Sequence, residues 1–193
     1  MADVFEVLGR DHADTKQLLD ALEASPGVAA GATERVVMAR SAAVMRLVID
    51  SSGHEAAEEQ FFWPVVRSRL ADGNELADRA IAQETHAKRV LTRLDKTGGA
   101  DPEFDDLVQS FIPECRAHIE FEETRVWPGL RAALNPAEAE ELGEKIAKFR
   151  KHGPTRPHPH TPPSPRVLAT AGTVVAAVDR LRDAIDRRDE PGR

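Results

Sequence analysis

The 193-residue sequence contains no tyrosine, a single cysteine and only two tryptophans. The absence of tyrosine excludes any chemistry that needs a tyrosyl radical or a phenolate ligand. The single cysteine, Cys115, cannot form a disulfide within the chain, and it cannot supply an all-thiolate metal site. A metal centre in this protein would therefore depend on nitrogen and oxygen ligands.

Long apolar runs and a basic face are also missing. No run approaches the ~20 apolar residues that span a bilayer, and the opening residues, MADVFEVLGRDH, lack the charged and apolar regions of a signal peptide. The net charge is −7, with basic residues scattered among acidic ones, which is not the pattern of a phosphate-binding surface. We therefore expect a cytoplasmic protein that binds neither a membrane nor nucleic acid.

Apolar residues recur with helical spacing through almost the whole chain, and no segment shows the alternation typical of a β-strand. Capping and breaking residues divide this pattern into four long helices with short loops and a shorter fifth helix. This arrangement is typical of an up-down-up-down four-helix bundle, so we predict an all-α fold. The predicted helices start at Asp3, Thr33, Asp72, Asp101 and Asn135. Pro64 and Pro113 should bend or end the second and the fourth.

Three segments of different composition follow one another along the chain. Residues 1–152 carry the predicted bundle and fifth helix, and residues 153–165, GPTRPHPHTPPSP, form a Pro/His-rich linker that cannot be helical. His158 and His160 could bind a metal as a pair, although the flanking prolines favour a surface linker. Residues 166–193 contain a C-terminal amphipathic helix and tail. The apolar face of this helix needs cover from the bundle or from a second copy of the chain in a homodimer.

One motif occurs twice in the same register. Residues 54–64 read HEAAEEQFFWP and residues 118–128 read HIEFEETRVWP, so both contain His-x-x-x-Glu-Glu-x-x-x-Trp-Pro. On a helix, residues four apart lie on one face, so His54 with Glu58 and His118 with Glu122 each present an imidazole and a carboxylate together. One such pair is common on solvated helix faces, but two pairs in register favour a shared site.

Each helix that carries the motif follows a helix with a lone histidine on its apolar side, His12 or His86. In an antiparallel bundle, all four helices can direct these groups to one interior point. Four buried imidazoles and two carboxylates would be costly without a cation. Nitrogen and oxygen ligands suit iron or manganese, and two carboxylates available to bridge favour two metal ions over one.

This order of residues resembles the hemerythrin-like family, also called the hemerythrin HHE cation-binding domain, over roughly residues 1–150. The resemblance implies two iron ions inside a four-helix bundle, joined by an oxo or hydroxo bridge. It also implies that Glu58 and Glu122 bridge the irons, that His12 and His54 serve one iron, and that His86 and His118 serve the other. Similar Pro/His-rich tails occur in actinobacterial members.

The sequence departs from the oxygen-carrying hemerythrins in the third helix, where those proteins have two histidines four residues apart. His86 has no such companion, so this chain is one imidazole short. Some relatives without that histidine have a His-Glu pair like His54-Glu55, which makes Glu55 a candidate replacement ligand or proton shuttle. A solvated helix glutamate is the alternative interpretation of Glu55. Gln83 and Glu84 are weaker candidates.

The shortened ligand set bears on function. Family members with such a set are associated with defence against oxidants, so the resemblance implies breakdown or reduction of hydrogen peroxide, or consumption of nitric oxide, with Glu55 as the catalytic residue to test. Such an enzyme would be a catalase-like or peroxidase-type oxidoreductase, and its reductant is unknown. The alternative is a module that binds, stores or senses oxygen or iron without turnover.

Overall fold

The structure is a computed structural model that describes residues 2–158 and Asp179. This part of the chain is helical and contains no β-strand, which confirms the all-α prediction. Its α-helices are α1 (Val4–Ala24), α2 (Glu34–Ala57), α3 (Trp63–Arg69), α4 (Gly73–Leu94), α5 (Pro102–Phe121), α6 (Trp127–Ala133) and α7 (Pro136–Arg150). A short 3₁₀ helix, Val28–Ala30, lies between α1 and α2.

Two π-helical turns join these elements into longer helices. Glu58–Phe62 continues α2 into α3, and Glu122–Val126 continues α5 into α6. The four members of the bundle are thus α1, the combined α2 and α3 helix, α4, and the combined α5 and α6 helix. α7 is the predicted fifth helix, and it packs on α1 and α2.

The prolines of the repeated motif lie just after these π turns. A proline inside an α-helix clashes with the carbonyl four residues earlier and removes one hydrogen bond. In the π turns the Trp63 N–H donates to the Glu58 carbonyl, and the Trp127 N–H donates to the Glu122 carbonyl, each five residues back. The wider turn accommodates the proline, so the second helix does not end at Pro64 but continues as α3.

The helix starts follow capping residues that are visible in the sequence. Asp3 and Glu6 form a capping box, in which each side chain accepts a hydrogen bond from the other residue's backbone N–H. Asp101 caps α5 by accepting from the Glu103 N–H. The bend expected at Pro113 corresponds to no break, because α5 continues through this residue and the irregular turn comes only at its end.

The core consists of two hydrophobic clusters separated by a polar layer. α1 contributes Leu8 to the first cluster and Leu19 to the second, and the buried His12 lies between them. The other long helices repeat this order of apolar, polar and apolar residues. The polar residues at the same level of those helices are His54, Glu84 and His118.

A buried arginine fixes the end of the bundle that is remote from the motif prolines. Arg40 is 6% exposed, and it donates to the carbonyls of Leu22 and Ser25 and to Asp105 Oδ1. The other oxygen of Asp105 accepts from the Val28 N–H. Through these hydrogen bonds the arginine and Asp105 tie the loop after α1 to α5.

Beyond α7 the chain is not helical as far as His158. Pro154 is buried and lies over Gly53 of α2, where an added Cβ would be 3.6 Å from the Pro154 oxygen. His158 Nε2 lies 2.9 Å from Asp179 Oδ2. The rest of the linker and, apart from Asp179, the predicted C-terminal helix and its homodimer contact lie outside the described residues. Across residues 2–158, no helix has the length and apolarity that a bilayer crossing requires.

Gly143 allows α7 to lie directly against the start of α1. A Cβ at this position would be 2.7 Å from the Ala2 oxygen and 2.8 Å from the Val4 nitrogen, and these backbone atoms cannot rotate away. Overpacking costs about 1–3 kcal/mol, and contact with backbone should put this case near the upper limit. This cost exceeds the ~1 kcal/mol that alanine gains in helix propensity. We therefore predict that Gly143→Ala lowers the midpoint of urea unfolding.

The matched control is Gly98→Ala, because a Cβ at position 98 meets no atom within 4 Å. If Gly143→Ala left the unfolding midpoint unchanged, or lowered it no more than Gly98→Ala, the close approach of α7 and α1 would be disproved.

Candidate metal centre

Five side chains of the repeated motif and α1 converge inside the bundle. His54 Nε2 lies 3.2 Å from a Glu58 oxygen, and His118 Nε2 lies 3.1 Å from a Glu122 oxygen, as the four-residue spacing predicts. His12 Nε2 lies 3.1 Å from the other Glu122 oxygen. Both glutamates are fully buried. Ligands at right angles around an ion, each ~2.1 Å away, are separated by about 3 Å, so these spacings suit a shared cation.

With Glu84, these donors form two overlapping groups, in each of which the ligand atoms lie within 4.8 Å of one another. The first group consists of His12, His54, Glu58 and Glu122. The second group consists of Glu58, Glu84, His118 and Glu122. Each group could hold a metal ion, and the two shared carboxylates could contact both ions.

The polar atoms of the cluster lack the partners that buried groups normally have. Among the described residues, no hydrogen bond reaches either oxygen of Glu58 or Glu122, Oε2 of Glu84, or Nε2 of His12 and His118. Their close approaches to one another lack the angles of hydrogen bonds. Unpartnered imidazole nitrogens and carboxylate oxygens that face one common point are the donor set that a cation would satisfy.

The structure brings Glu84, and not His86, into this cluster. The side chain of His86 is 58% exposed, and its Nε2 lies 3.2 Å from a Glu114 oxygen on the surface. Glu84 is fully buried. Two residues are separated by about 200° around an α-helix, so these two side chains cannot face the same point. The family pattern favours a histidine in this helix, which is why sequence reasoning preferred His86.

Each histidine of the cluster is oriented through its other ring nitrogen. His54 Nδ1 lies 3.2 Å from an Asp11 oxygen, and His118 Nδ1 lies 3.1 Å from the Gln83 side-chain oxygen. His12 Nδ1 lies 3.1 Å from a Glu123 oxygen. Because an oxygen acceptor is present in each case, Nδ1 carries the hydrogen. Nε2 is thereby directed at the cluster, as in metal sites whose ligands are held by outer hydrogen bonds.

The two helical hairpins, α1 with α2 and α4 with α5, build the cluster in the same way. The first helix of each hairpin contains three residues whose spacing is the same in both hairpins. The first contacts a histidine Nδ1, the second belongs to the cluster, and the third is a lysine. These are Asp11, His12 and Lys16 in α1, and Gln83, Glu84 and Lys88 in α4. Each lysine binds the second glutamate of a motif, Lys16 with Glu123 and Lys88 with Glu59. This repeat has a different offset from the motif repeat, and its two copies share only the lysine as a residue type. It is therefore recognisable only after the structure has shown the role of each position, and the sequence alone does not identify Glu84 from it.

Glu55 lies near the second group without joining it. Its side chain is 5% exposed, its Oε2 is 3.8 Å from Lys88 Nζ, and no hydrogen bond within the described residues reaches this oxygen. Burial raises the pKa of Glu55 to about 7, although Lys88 and His118 oppose the shift. Glu55 is therefore neither one of the converging donors nor a solvated glutamate, but a buried carboxyl at the edge of the centre.

The electrostatics of the cluster favour positive charge. Burial opposes protonation of His54 and His118, but the neighbouring carboxylates outweigh it and raise the pKa of each imidazole to about 9. For Glu122, burial is outweighed by His118 and His12, which hold its pKa well below the usual range. Burial and the charge of Glu58 raise the pKa of Glu84 well above the usual range. The cluster thus attracts protons or metal cations.

The two tryptophans of the motif cover the cluster from the same end. The Trp127 ring stacks on the His12 ring, with centroids 5.0 Å apart and planes 11° apart. Trp63 Nε1 donates to Glu84 Oε1 over 2.6 Å. Both tryptophans belong to the first hydrophobic cluster, so they pack in the core beside the site.

Two surface hollows approach the cluster from opposite sides. A hollow of about 480 Å³ lies between α4 and α5 and reaches Glu55 and His118. A smaller one of about 160 Å³ reaches His54 beside Asp11 and Arg150 of α7, which form an ion pair. Small molecules therefore have two possible routes toward the centre.

Comparison with known proteins places this site in a family. The profile of the family "Hemerythrin HHE cation binding domain" matches residues 3–130, which include every residue of both metal-ligand groups. The chain belongs to this family. A cation-binding helical bundle is therefore its established character, and the buried histidine and glutamate groups are its candidate ligands.

The chain is also similar to individual proteins. An uncharacterized hemerythrin-like protein of Schizosaccharomyces pombe is 24% identical over 143 residues, covering 74% of this chain and 70% of that protein. A DNA nickase of Nostoc is 29% identical over 94 residues, but only 26% of its length is covered. A crystal structure of a hemerythrin HHE cation binding domain-containing protein from Mycobacterium kansasii superposes with a TM-score of 0.64. It is 24% identical and covers 93% of this chain and 99% of that one, so it shows the same fold.

The different positions of Glu84 and His86 lead to a direct test. We predict that Glu84→Ala lowers the affinity for Fe²⁺ at least about tenfold, since it removes a buried donor from the second group. His86→Ala should leave affinity unchanged, because His86 lies on the surface. Anaerobic titration with Fe²⁺ against a competing chelator measures both. Weaker Fe²⁺ binding in His86→Ala, with unchanged binding in Glu84→Ala, would show that His86 turns inward when metal binds.

The outer partner of His54 should also affect metal binding. We predict that Asp11→Asn weakens Fe²⁺ binding about 10–100-fold, because the imidazole loses its charged acceptor and its fixed orientation. Asp14→Asn is the matched control, since Asp14 lines the same hollow and is not within contact distance of His54. Equal affinities of the two variants in the chelator titration would rule out an orienting role for Asp11.

Proposed function

We propose that this hemerythrin-family protein holds two iron ions in the bundle and uses them to break down hydrogen peroxide. The observation that carries the proposal is the pair of four-donor groups that share Glu58 and Glu122. The buried carboxyl of Glu55 lies beside them, and its Oε2 receives no hydrogen bond from the described residues. In this ligand set, bound iron would supply one-electron steps between its ferrous and ferric states.

The proposed ligand assignment follows the two groups. His12 and His54 would hold one ion, His118 and Glu84 would hold the other, and Glu58 and Glu122 would contact both. This differs from the expectation that His86 serves the second ion. Mixed nitrogen and oxygen donors without thiolate fit iron or manganese better than metals that prefer sulfur. The outer partners Asp11, Gln83 and Glu123 would hold the imidazoles in the binding tautomer.

Carboxylates outnumber imidazoles in the second group, which supports chemistry over reversible carriage of oxygen. Glu84 stands where the other hairpin has His12, so the second ion would receive more negative charge than the first. Anionic oxygen ligands favour the ferric state and thus the reduction of an oxidant. The two ligand groups therefore support a centre that reacts with peroxide.

Glu55 is the proposed proton-handling residue. Its Oε2 has no hydrogen-bond partner among the described residues, so it is free to accept a hydrogen bond from peroxide. Lys88 lies 3.8 Å from this oxygen and would hold the side chain in place. Without bound metal, burial raises the pKa of this carboxyl to about 7, and a positioned carboxyl of this kind can accept and return a proton during turnover.

Iron analysis of the purified protein, followed by peroxide addition with an oxygen electrode, tests the proposal. Two irons per chain with oxygen release over many turnovers would support it. Two irons without turnover, and a spectrum that changes reversibly between oxygen and argon, would favour the non-catalytic carrier. Rapid loss of nitric oxide without peroxide turnover would identify nitric oxide as the substrate. Failure to bind iron would end the proposal.

We predict that Glu55→Gln reduces peroxide turnover on the order of 100-fold, the usual contribution of a positioned acid or base. The amide keeps the size of the side chain but cannot accept the proton. Iron content should stay at the wild-type level because Glu55 is outside both donor groups. Glu114→Gln, a change at the surface ion pair with His86, is the matched control. Loss of iron in Glu55→Gln would instead identify Glu55 as a ligand.

A further inference from the structure

We infer that the hollow between α4 and α5, which Ala87 lines, is the entrance through which small uncharged oxidants reach the centre. The inference rests on the proposed function and adds to it the route of the substrate and the metal position that it meets.

The hollow opens on only one side of the cluster. Its inner wall includes Glu55 and His118, and its rim includes Arg79, His86 and Glu114. Since His118 belongs to the second group and not to the first, a molecule that moves inward arrives at a donor of the second group. The ion proposed for this position would thus be the one that the oxidant meets.

The chemistry of the walls favours uncharged molecules. Ala82, Ala87, Phe111 and Ala117 contribute apolar surface. Cys115 also lines the hollow. Burial raises the pKa of its thiol to about 12, so this side chain is uncharged. A small neutral molecule enters such a surface with a smaller desolvation cost than an anion.

Glu55 adds selectivity at the inner end. It is a buried carboxyl, and within the part of the chain that the structure describes its Oε2 receives no hydrogen bond. It can accept a hydrogen bond but cannot neutralise an anion. Hydrogen peroxide can donate such a bond. The hollow therefore combines an apolar passage with one acceptor that lies next to His118.

The opposite hollow is less suited to this passage. It has about one third of the volume, and charged side chains line it. Arg46 pairs with Asp50, and Arg150 pairs with Asp11, which in turn lies against His54. A neutral molecule gains little from these ion pairs, and it would have to displace the water around them.

The test is the rate at which nitric oxide, a small uncharged ligand, binds to the iron-loaded ferrous protein in stopped flow. Ala87→Phe places a large side chain in the hollow. We expect it to slow association about tenfold or more and to slow peroxide consumption to a similar degree, with iron content unchanged. If this variant does not fold, Ala82→Trp at the rim is used in its place.

Two matched variants complete the experiment. Ala87→Ser keeps the hollow open, and Thr15→Phe fills the opposite hollow; both should bind nitric oxide at the wild-type rate. Slower association in Thr15→Phe but not in Ala87→Phe would overturn the entrance and leave the proposed function intact. Equal rates of nitric oxide association in all variants would also overturn the proposed entrance. An iron-loaded wild type that neither binds nitric oxide nor consumes peroxide would overturn the proposed function and the entrance with it.

Discussion

The structure depends on the placement of two carboxylates, Glu58 and Glu122, in the centre of the bundle without contact with water. Each has both oxygens free of hydrogen bonds within the described residues. Carboxylates in such surroundings are stable only when positive charge is supplied to them. The histidines, their outer partners and the two lysines are all arranged around this requirement. A cation that supplies this positive charge binds the folded chain and not the unfolded one, so metal binding and folding are linked.

The rest of the bundle allows this polar layer to exist. Apolar clusters on both sides supply the burial that holds the helices together. At the far end, Arg40 and Asp105 form hydrogen bonds with each other and with three backbone groups. This buried pair therefore does not need a bound ion to balance its charge. The four long helices thus each contribute imidazole nitrogens or carboxylate oxygens without hydrogen bonds to one level of the bundle, as far as the described residues show.

Much of this arrangement is readable from the sequence, because its signals are local. The four-residue spacing of His54 and Glu58 fixes a shared helix face, and capping residues such as Asp3 fix where helices begin. Glu84 is not readable in this way. It shares no motif with its neighbours, and its inward direction depends on how α4 is rotated against the other helices, which only packing decides.

The outer partners show the same limit. Asp11 and Gln83 differ in residue type although they hold equivalent histidines, so neither a residue pattern nor an identity search relates them. Only the three-dimensional correspondence of the hairpins does so. The C-terminal helix predicted from its amphipathic pattern stays a prediction, since of that segment the structure describes Asp179 alone.

The π turns have a consequence for the shape of the motif itself. A π turn contains one residue more than an α-turn, and one residue corresponds to about 100° of rotation. The extra residue realigns the helix, so that side chains five positions apart lie above one another. Glu58 and Trp63, and likewise Glu122 and Trp127, are related in this way. The Glu-x-x-x-x-Trp-Pro spacing thus belongs to a helix with one inserted residue, and each tryptophan contacts a cluster residue of another helix, Trp127 the His12 ring and Trp63 the Glu84 carboxylate.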